Sequence, residues 1–205
     1  MAAERLRLAA LAGAASLTLG LGGCGAARSR RPASTPADEG IPASLIAQAR
    51  PIGRGPRFHP PAAGPVLGPC RSILGPRVGV HVELFAANRV VLVGAGIGAR
   101  PPLTHDAGRI SGARCFGALV TVDPTGTVLV RPGSRLTLAD LFRSWGQPLS
   151  PTRLASFPGR VRIYIDGRRR PGNPGRVALT RHAEIVLEVG PYVPPHSAYR
   201  FPPGT

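Results

Sequence analysis

Three cysteines, five histidines and one glycine-rich run hold most of the chemistry open to this chain of 205 residues. Cys70 and Cys115 suit a disulfide or, with His81, a thiolate–imidazole metal site, since soft sulfur and imidazole are ligands of transition metals. His105 adjoins Asp106, and His182 stands two residues before Glu184; either pair offers a base and a carboxylate to orient it. His81, His105, Asp106 and a cysteine would also suit a metal by residue type, but none has the H-x-H or C-x-x-C spacing of a compact site. Residues 91–99 read V-L-V-G-A-G-I-G-A, an apolar strand followed by G-x-G-x-x-A, as in dinucleotide-binding turns.

The neighbouring sequence decides each case. A dinucleotide turn must open a helix whose N-terminus faces the pyrophosphate. Here Arg100-Pro101-Pro102 follows, with no helical periodicity for about 35 residues, so 94–112 reads as a glycine- and proline-rich loop. No G-x-S-x-G elbow or reactive-cysteine context accompanies the histidines. No catalytic residue, metal or cofactor is therefore assigned, and the chain reads as non-enzymatic.

Cys24 has the clearest context. Arg5 and Arg7 give a positive start, residues 8–22 run apolar or small without a charge, and Leu21-Gly22-Gly23-Cys24 closes the run as a lipoprotein cleavage site would. The run is about 15 residues, short of the roughly 20 that cross a bilayer as a helix. The reading is a signal peptide over 1–23 with Cys24 lipidated; the plain alternative is a secretory signal with an incidental cysteine. This places the protein in the cell envelope, tethered to the periplasmic or extracellular face of a membrane. Lipid on Cys24 leaves Cys70 and Cys115 as an even pair in an oxidising compartment, and a disulfide is expected between them, the rival being a thiolate metal site. It would close a loop of about 45 residues, worth roughly 4 kcal/mol on the chain-entropy model.

Formal charge is +16, and all 26 basic residues are arginine. Such a surface favours anionic partners, lipid headgroups or acidic envelope polysaccharide. No aromatic-and-basic recognition motif points to nucleic acid. Arg168-Arg169-Arg170, beside an Asp166-Gly167 turn, is the densest cluster and the candidate surface for an anionic envelope component or a protein partner.

The elements that must position these groups begin after a tether. Residues 24–65 are rich in Pro, Ala, Gly and Arg and carry too little apolar surface to offset ordering. As a flexible chain of about 40 residues it would reach about 35 Å. Residues 66–205 read as a single domain. Apolar residues alternate over 78–85, Ala87-Asn88-Arg89 turns, and 90–93 return, predicting a hairpin. A second hairpin is expected from 118–123 and 127–131 around Pro124-Thr125-Gly126. Leu138, Leu141, Phe142 and Trp145 share one helical face, with Thr137 as N-cap, Asp140 in the capping-box position, Leu136 and Leu141 as staple, and Gly146 and Pro148 as stop. Strands follow around Val161, Ile163 and Ile165 and around Ile185, Leu187 and Val189. The Pro-rich tail from Gly190 reads as an extended strap. The order from Ala118 predicts an α+β fold: a small mixed sheet with one main helix, β-grasp-like, plus an extra N-terminal hairpin.

Several stretches resemble a family of uncharacterised exported or membrane-anchored bacterial and archaeal proteins. They are residues 115–123, Thr125-Gly126-Thr127-Val128, the run L-T-L-x-x-L-F-x-x-W-G-Q-P-L over 136–149, residues 161–167 and 182–190, and Phe201-Pro202-Pro203. In many members the cysteine segment reads C-x-x-x-L-H-T-H-D and the first strand H-x-H-x-H-L, which resembles a transition-metal site. In this chain Val120 and Val122 occupy the first two histidine positions. In the strand Arg77 and Gly79 stand where two others would, and His81 is retained. The resemblance implies a shared scaffold. The expected role is binding or scaffolding at the membrane surface, and the alternative is a residual metal protein built on His81, Cys70 and Cys115.

Overall fold

A computed structural model describes residues 49–205; the proposed signal peptide, Cys24 and the inner part of the tether lie outside the described residues. The longest strand, β1 (Val78–Ala86), is buried on both faces, which a strand achieves only at the centre of a covered sheet. Short strands β2 (Arg89–Val90), β5 (Leu119–Val120), β6 (Thr127–Val130), β10 (Arg162–Ile165) and β11 (Arg168–Arg170) join it, with β12 (Glu184–Val189) as the last. The sheet order is β11-β10-β12-β1-β6-β5, with β2 paired to the end of β1. β1 runs parallel to β12 and antiparallel to β6, so the sheet is mixed.

Alternation along the strands sorts their side chains onto two faces. Val80, Val82 and Leu84 of β1, Val128 and Val130 of β6, Ile163 of β10, and Ile185, Leu187 and Val189 of β12 form one cluster. It includes Leu138, Leu141, Phe142 and Trp145 of helix α1 (Leu138–Trp145). The opposite face carries His81, Glu83 and Phe85, Glu184, Val186 and Glu188, and Arg162 and Tyr164. Residues 190–205 cross this face as a strap. Val193 packs with Phe85, Tyr164 and Val186, and the Tyr199 ring stacks on His81 at 3.7 Å with planes 7° apart.

Helix α1 follows its sequence signals closely. Asp140 Oδ2 accepts from the Thr137 backbone N–H at 2.9 Å and from the Thr137 hydroxyl at 3.1 Å. Gly146 ends the helix in the left-handed region at φ 79°, a conformation glycine adopts without steric cost. Trp145 is fully buried, and its Nε1–H donates to Pro60 O at 3.1 Å. Three short strands follow the helix, β7 (Leu149–Ser150), β8 (Arg153–Leu154) and β9 (Phe157–Pro158), and a 3-10 turn, Pro174–Arg176, precedes β12.

Three features differ from the expectations. The loop assigned to 94–112 contains a hairpin, β3 (Ala99–Asp106) and β4 (Arg109–Phe116), turned by Ala107 and Gly108 at φ 46° and 77°. Its strands are mostly exposed, so no apolar alternation betrays them; only Ile110 and Phe116 are buried, packed against Val120, Val122 and Leu129. The return arm of the first expected hairpin is short, pairing only Phe85 with Val90 and Ala86 with Arg89. β1 is thus the centre of the sheet, where the sequence had suggested an added hairpin beside it. Finally, residues 51–65 lie against the domain instead of trailing as tether. Gly53 N–H donates to Val90 O, Leu92 N–H to Phe58 O, and Ala63 N–H to Trp145 O. Scattered Gly and Pro made this arm look unstructured, but its carbonyls serve the helix end: Pro65 O accepts from Ser144 Oγ at 2.9 Å.

Candidate functional site

β11 is an edge strand, and its three residues are all arginine and all exposed. It exists because Asp166 and Gly167, at φ 51° and 73°, make the two-residue left-handed turn that suits a hairpin. Register sets Arg168, Arg169 and Arg170 opposite Ile165, Tyr164 and Ile163 of β10. Between this edge and the segment before β10 lies a groove of about 620 Å³, lined by Arg160, Arg162, Arg169, Arg170, Pro151 and Thr152 among others, with no acidic residue in its wall. Arg162 is committed: Nε donates to Glu188 Oε2 at 3.0 Å, and Nη2 to the carbonyls of Gly190 and Pro191. Arg160, Arg168, Arg169 and Arg170 are exposed and have no carboxylate within ion-pairing distance among the described residues. A groove so lined attracts anions, and three of its four guanidinium groups are uncommitted donors.

A second polar centre lies beneath the strap. His81 of β1 is directly opposite Glu184 of β12 in the parallel register, and its Nδ1 is 2.7 Å from Glu184 Oε2. Its Nε2 donates to Thr125 O at 2.8 Å. Gly126, at φ 84°, permits this approach, since a β-carbon there would meet Val82 O at 2.6 Å. Glu83, two residues from His81 on the same face, has both oxygens 2.8 Å from His196 Nδ1 of the strap. Burial alone would pull the His81 imidazole down. The hydrogen bond and charge of Glu184, the Thr125 carbonyl and the Glu83 charge outweigh it, and the net shift is upward. Burial pushes the Glu184 carboxyl up against the opposing pull of His81. Glu188, also fully buried, is pushed up by burial, with Arg162 and the Val193 backbone opposing.

The cysteines expected to pair do so: Cys70 and Cys115 are bridged, with Cα atoms 5.3 Å apart. Arg71 and Phe116 form a β-bridge beside the disulfide, joining the N-terminal arm to β4. Bridged sulfurs offer no thiolate, so a metal set of Cys70, Cys115 and His81 lacks two of its ligands. His105 and Asp106 are exposed beside the Ala107-Gly108 turn. His182 does not pair with Glu184; its ring stacks on Phe201, and Nε2 is 2.6 Å from Thr205 O. The glycine-rich residues 94–98 lead into β3 and not into a helix.

Sequence reasoning missed Arg160, Glu83 and His196. The i, i+2 spacing of His81 and Glu83 was a visible signal, because it places both on one strand face. His196, in an irregular tail, had none. Among the described residues no helix is long and apolar enough to cross a membrane. No family model, curated protein or solved structure matches this chain.

Proposed function

We propose that this protein is a lipid-anchored component of the cell envelope that binds an anionic partner through the arginine groove, without catalysis. The observation that carries the reading is the groove itself: Arg160, Arg162, Arg169 and Arg170 line it, and no carboxylate does. Its place at a sheet edge leaves it open to a polymer such as an acidic polysaccharide. The anchor would be Cys24, after removal of residues 1–23, on the pattern of the leader. Both proposals also fit the similarity to exported and membrane-anchored proteins carried by residues 115–123 and 136–149.

The scaffold is read as β-grasp-like. In support, the first strand sits beside the last in parallel, the strand before the helix pairs antiparallel to the first, and one helix covers one face.

Binding of a soluble uronic-acid polysaccharide to the full chain in detergent tests the groove. Affinity should fall steeply as salt shortens the screening length from about 10 Å at 0.1 M to about 3 Å at 1 M. It should fall also in the triple variant Arg160→Gln, Arg169→Gln, Arg170→Gln. Salt-independent binding, or full binding by the triple variant, overturns the reading. Mass spectrometry of the membrane-extracted protein tests the anchor: a diacylglyceryl group on an N-terminal Cys24 is expected, and an unmodified thiol there rejects it.

A further inference from the structure

We propose that His81, Glu83, Glu184 and His196 form a binding site for one divalent transition cation, closed by the C-terminal strap. The site is independent of the arginine groove and of the bridged cysteines.

The argument begins with lone pairs. A carbonyl oxygen can only accept, so the contact of His81 Nε2 with Thr125 O fixes the ring hydrogen on Nε2. That leaves the Nδ1 lone pair of the neutral ring facing Glu184 Oε2, another lone-pair bearer, at 2.7 Å. Two such atoms at this distance must share a positive species, a proton or a metal. The arrangement at Nε2 is also the one metal-bound histidines use: the nitrogen away from the metal donates to a carbonyl, which fixes the tautomer and the ring orientation. His196 Nδ1 lies 2.8 Å from Glu83 Oε1 and Oε2, a contact in which its N–H donates to the carboxylate when no metal is bound.

Three of the four groups are also close enough, and the fourth, His196, touches Glu83 from the strap. One ligand atom each from His81, Glu83 and Glu184 lies within 4.8 Å of the others. Bonds of about 2.0–2.2 Å from one metal to nitrogen and oxygen ligands place those atoms roughly 3–4 Å apart, so side-chain adjustment and not backbone movement is needed. A further observation points to a missing partner. Glu184 is 1 % exposed, and its Oε1 is buried with no hydrogen-bond partner. A buried carboxylate oxygen without a partner is costly, and a coordinated cation would satisfy it.

With both rings neutral, two imidazoles and two carboxylates carry charge −2, which one divalent ion cancels. Imidazole and carboxylate together suit Zn²⁺, and to a lesser degree Mn²⁺ or Fe²⁺. Access is from the His196 side, where His196 is 32 % and Glu83 18 % exposed, whereas His81 and Glu184 form the floor. Tyr199 completes the cover by stacking on His81.

Calorimetric titration of the chelator-stripped full chain with Zn²⁺ alone tests this. One Zn²⁺ per chain is expected, and His196→Ala, on the half-exposed strap, should weaken it about tenfold or more. Glu184→Gln should weaken it further. Because Glu184→Gln could impair folding, nitrogen-15 shifts of the histidine rings provide a second measurement on the unaltered chain. Zn²⁺ should move Nδ1 of His81 and His196 while leaving their Nε2–H signals protonated. Absence of binding, affinity unchanged in His196→Ala, or shifts confined to His59, His105 or His182 overturns the assignment.

Discussion

The ring of Phe201 lies where a side chain at residue 79 would stand. A β-carbon at Gly79 would come within 2.7 Å of the Phe201 ring, and one at Gly167 within 2.8 Å of Ser197. A glycine on the covered face of β1 and another in the β10–β11 turn therefore let the strap lie close to the sheet.

Gly79→Val should dislodge the strap. Overpacking of this kind costs about 1–3 kcal/mol. Limited proteolysis should then cleave within 190–205 much faster than in the wild type, while α1 and its Trp145 environment stay intact. Equal protection of the tail would mean that the Phe201 contact does not hold it.

Cys70→Ser with Cys115→Ser should destabilise the protein by roughly 4 kcal/mol, since the bridge spans 45 residues of sequence. Urea unfolding of the oxidised protein and of the double variant measures the difference. A loss near zero would show that the bridge at Arg71 and Phe116 alone fixes the arm to β4.

Trp145→Ala should cost about 3–5 kcal/mol, the range for emptying a large core site. Trp145→Phe should cost less but leave Pro60 O without its donor. Amide exchange distinguishes the two effects: the phenylalanine variant should loosen residues 51–65 more than the sheet. Uniform loosening would contradict a specific role for that hydrogen bond.

Glu188 should make stability fall as pH rises. Its folded-state carboxyl is raised by burial, so the folded protein holds this proton more tightly than the unfolded chain. The contribution is complete below the unfolded value near 4.5 and is lost as pH rises through the higher folded value. The groups facing it are Arg162 and Tyr164 of β10 and the Val193 backbone. In Glu188→Gln, the difference in stability from wild type should vary with pH across this window and be flat below it. A constant difference across the window would show that the carboxyl is not shifted.

Much of one face of this fold was legible in the sequence. The 3.6-residue repeat of Leu138, Leu141, Phe142 and Trp145, with its cap and stop, predicted α1 at its observed bounds. Val80, Val82 and Leu84 and Ile185, Leu187 and Val189 gave the strands beneath it. The other face was harder. Its His81, Glu83, Glu184 and Glu188 alternate with valines and leucines, a pattern that a solvent-facing strand face would show equally, yet the strap covers them and His81, Glu184 and Glu188 are buried. That covering depends on contacts such as Glu83 with His196, 113 residues apart, which local periodicity cannot reveal. Hairpin β3–β4 was missed for a related reason: a two-sided, mostly exposed ribbon has no apolar alternation to read. Among the site residues, the Arg168-Arg169-Arg170 cluster was visible as composition, but Arg160 joins it only through the groove.

The parallel pairing of β1 with β12 has a consequence for how the chain matures. The centre of the sheet needs a strand that ends at Val189, and the polar face needs residues 190–205 after it. Before residues 190–205 dock, His81, Glu83, Glu184 and Glu188 lie on a face that water can reach. Any truncated product is therefore left with an open sheet centre and an uncovered ionisable face.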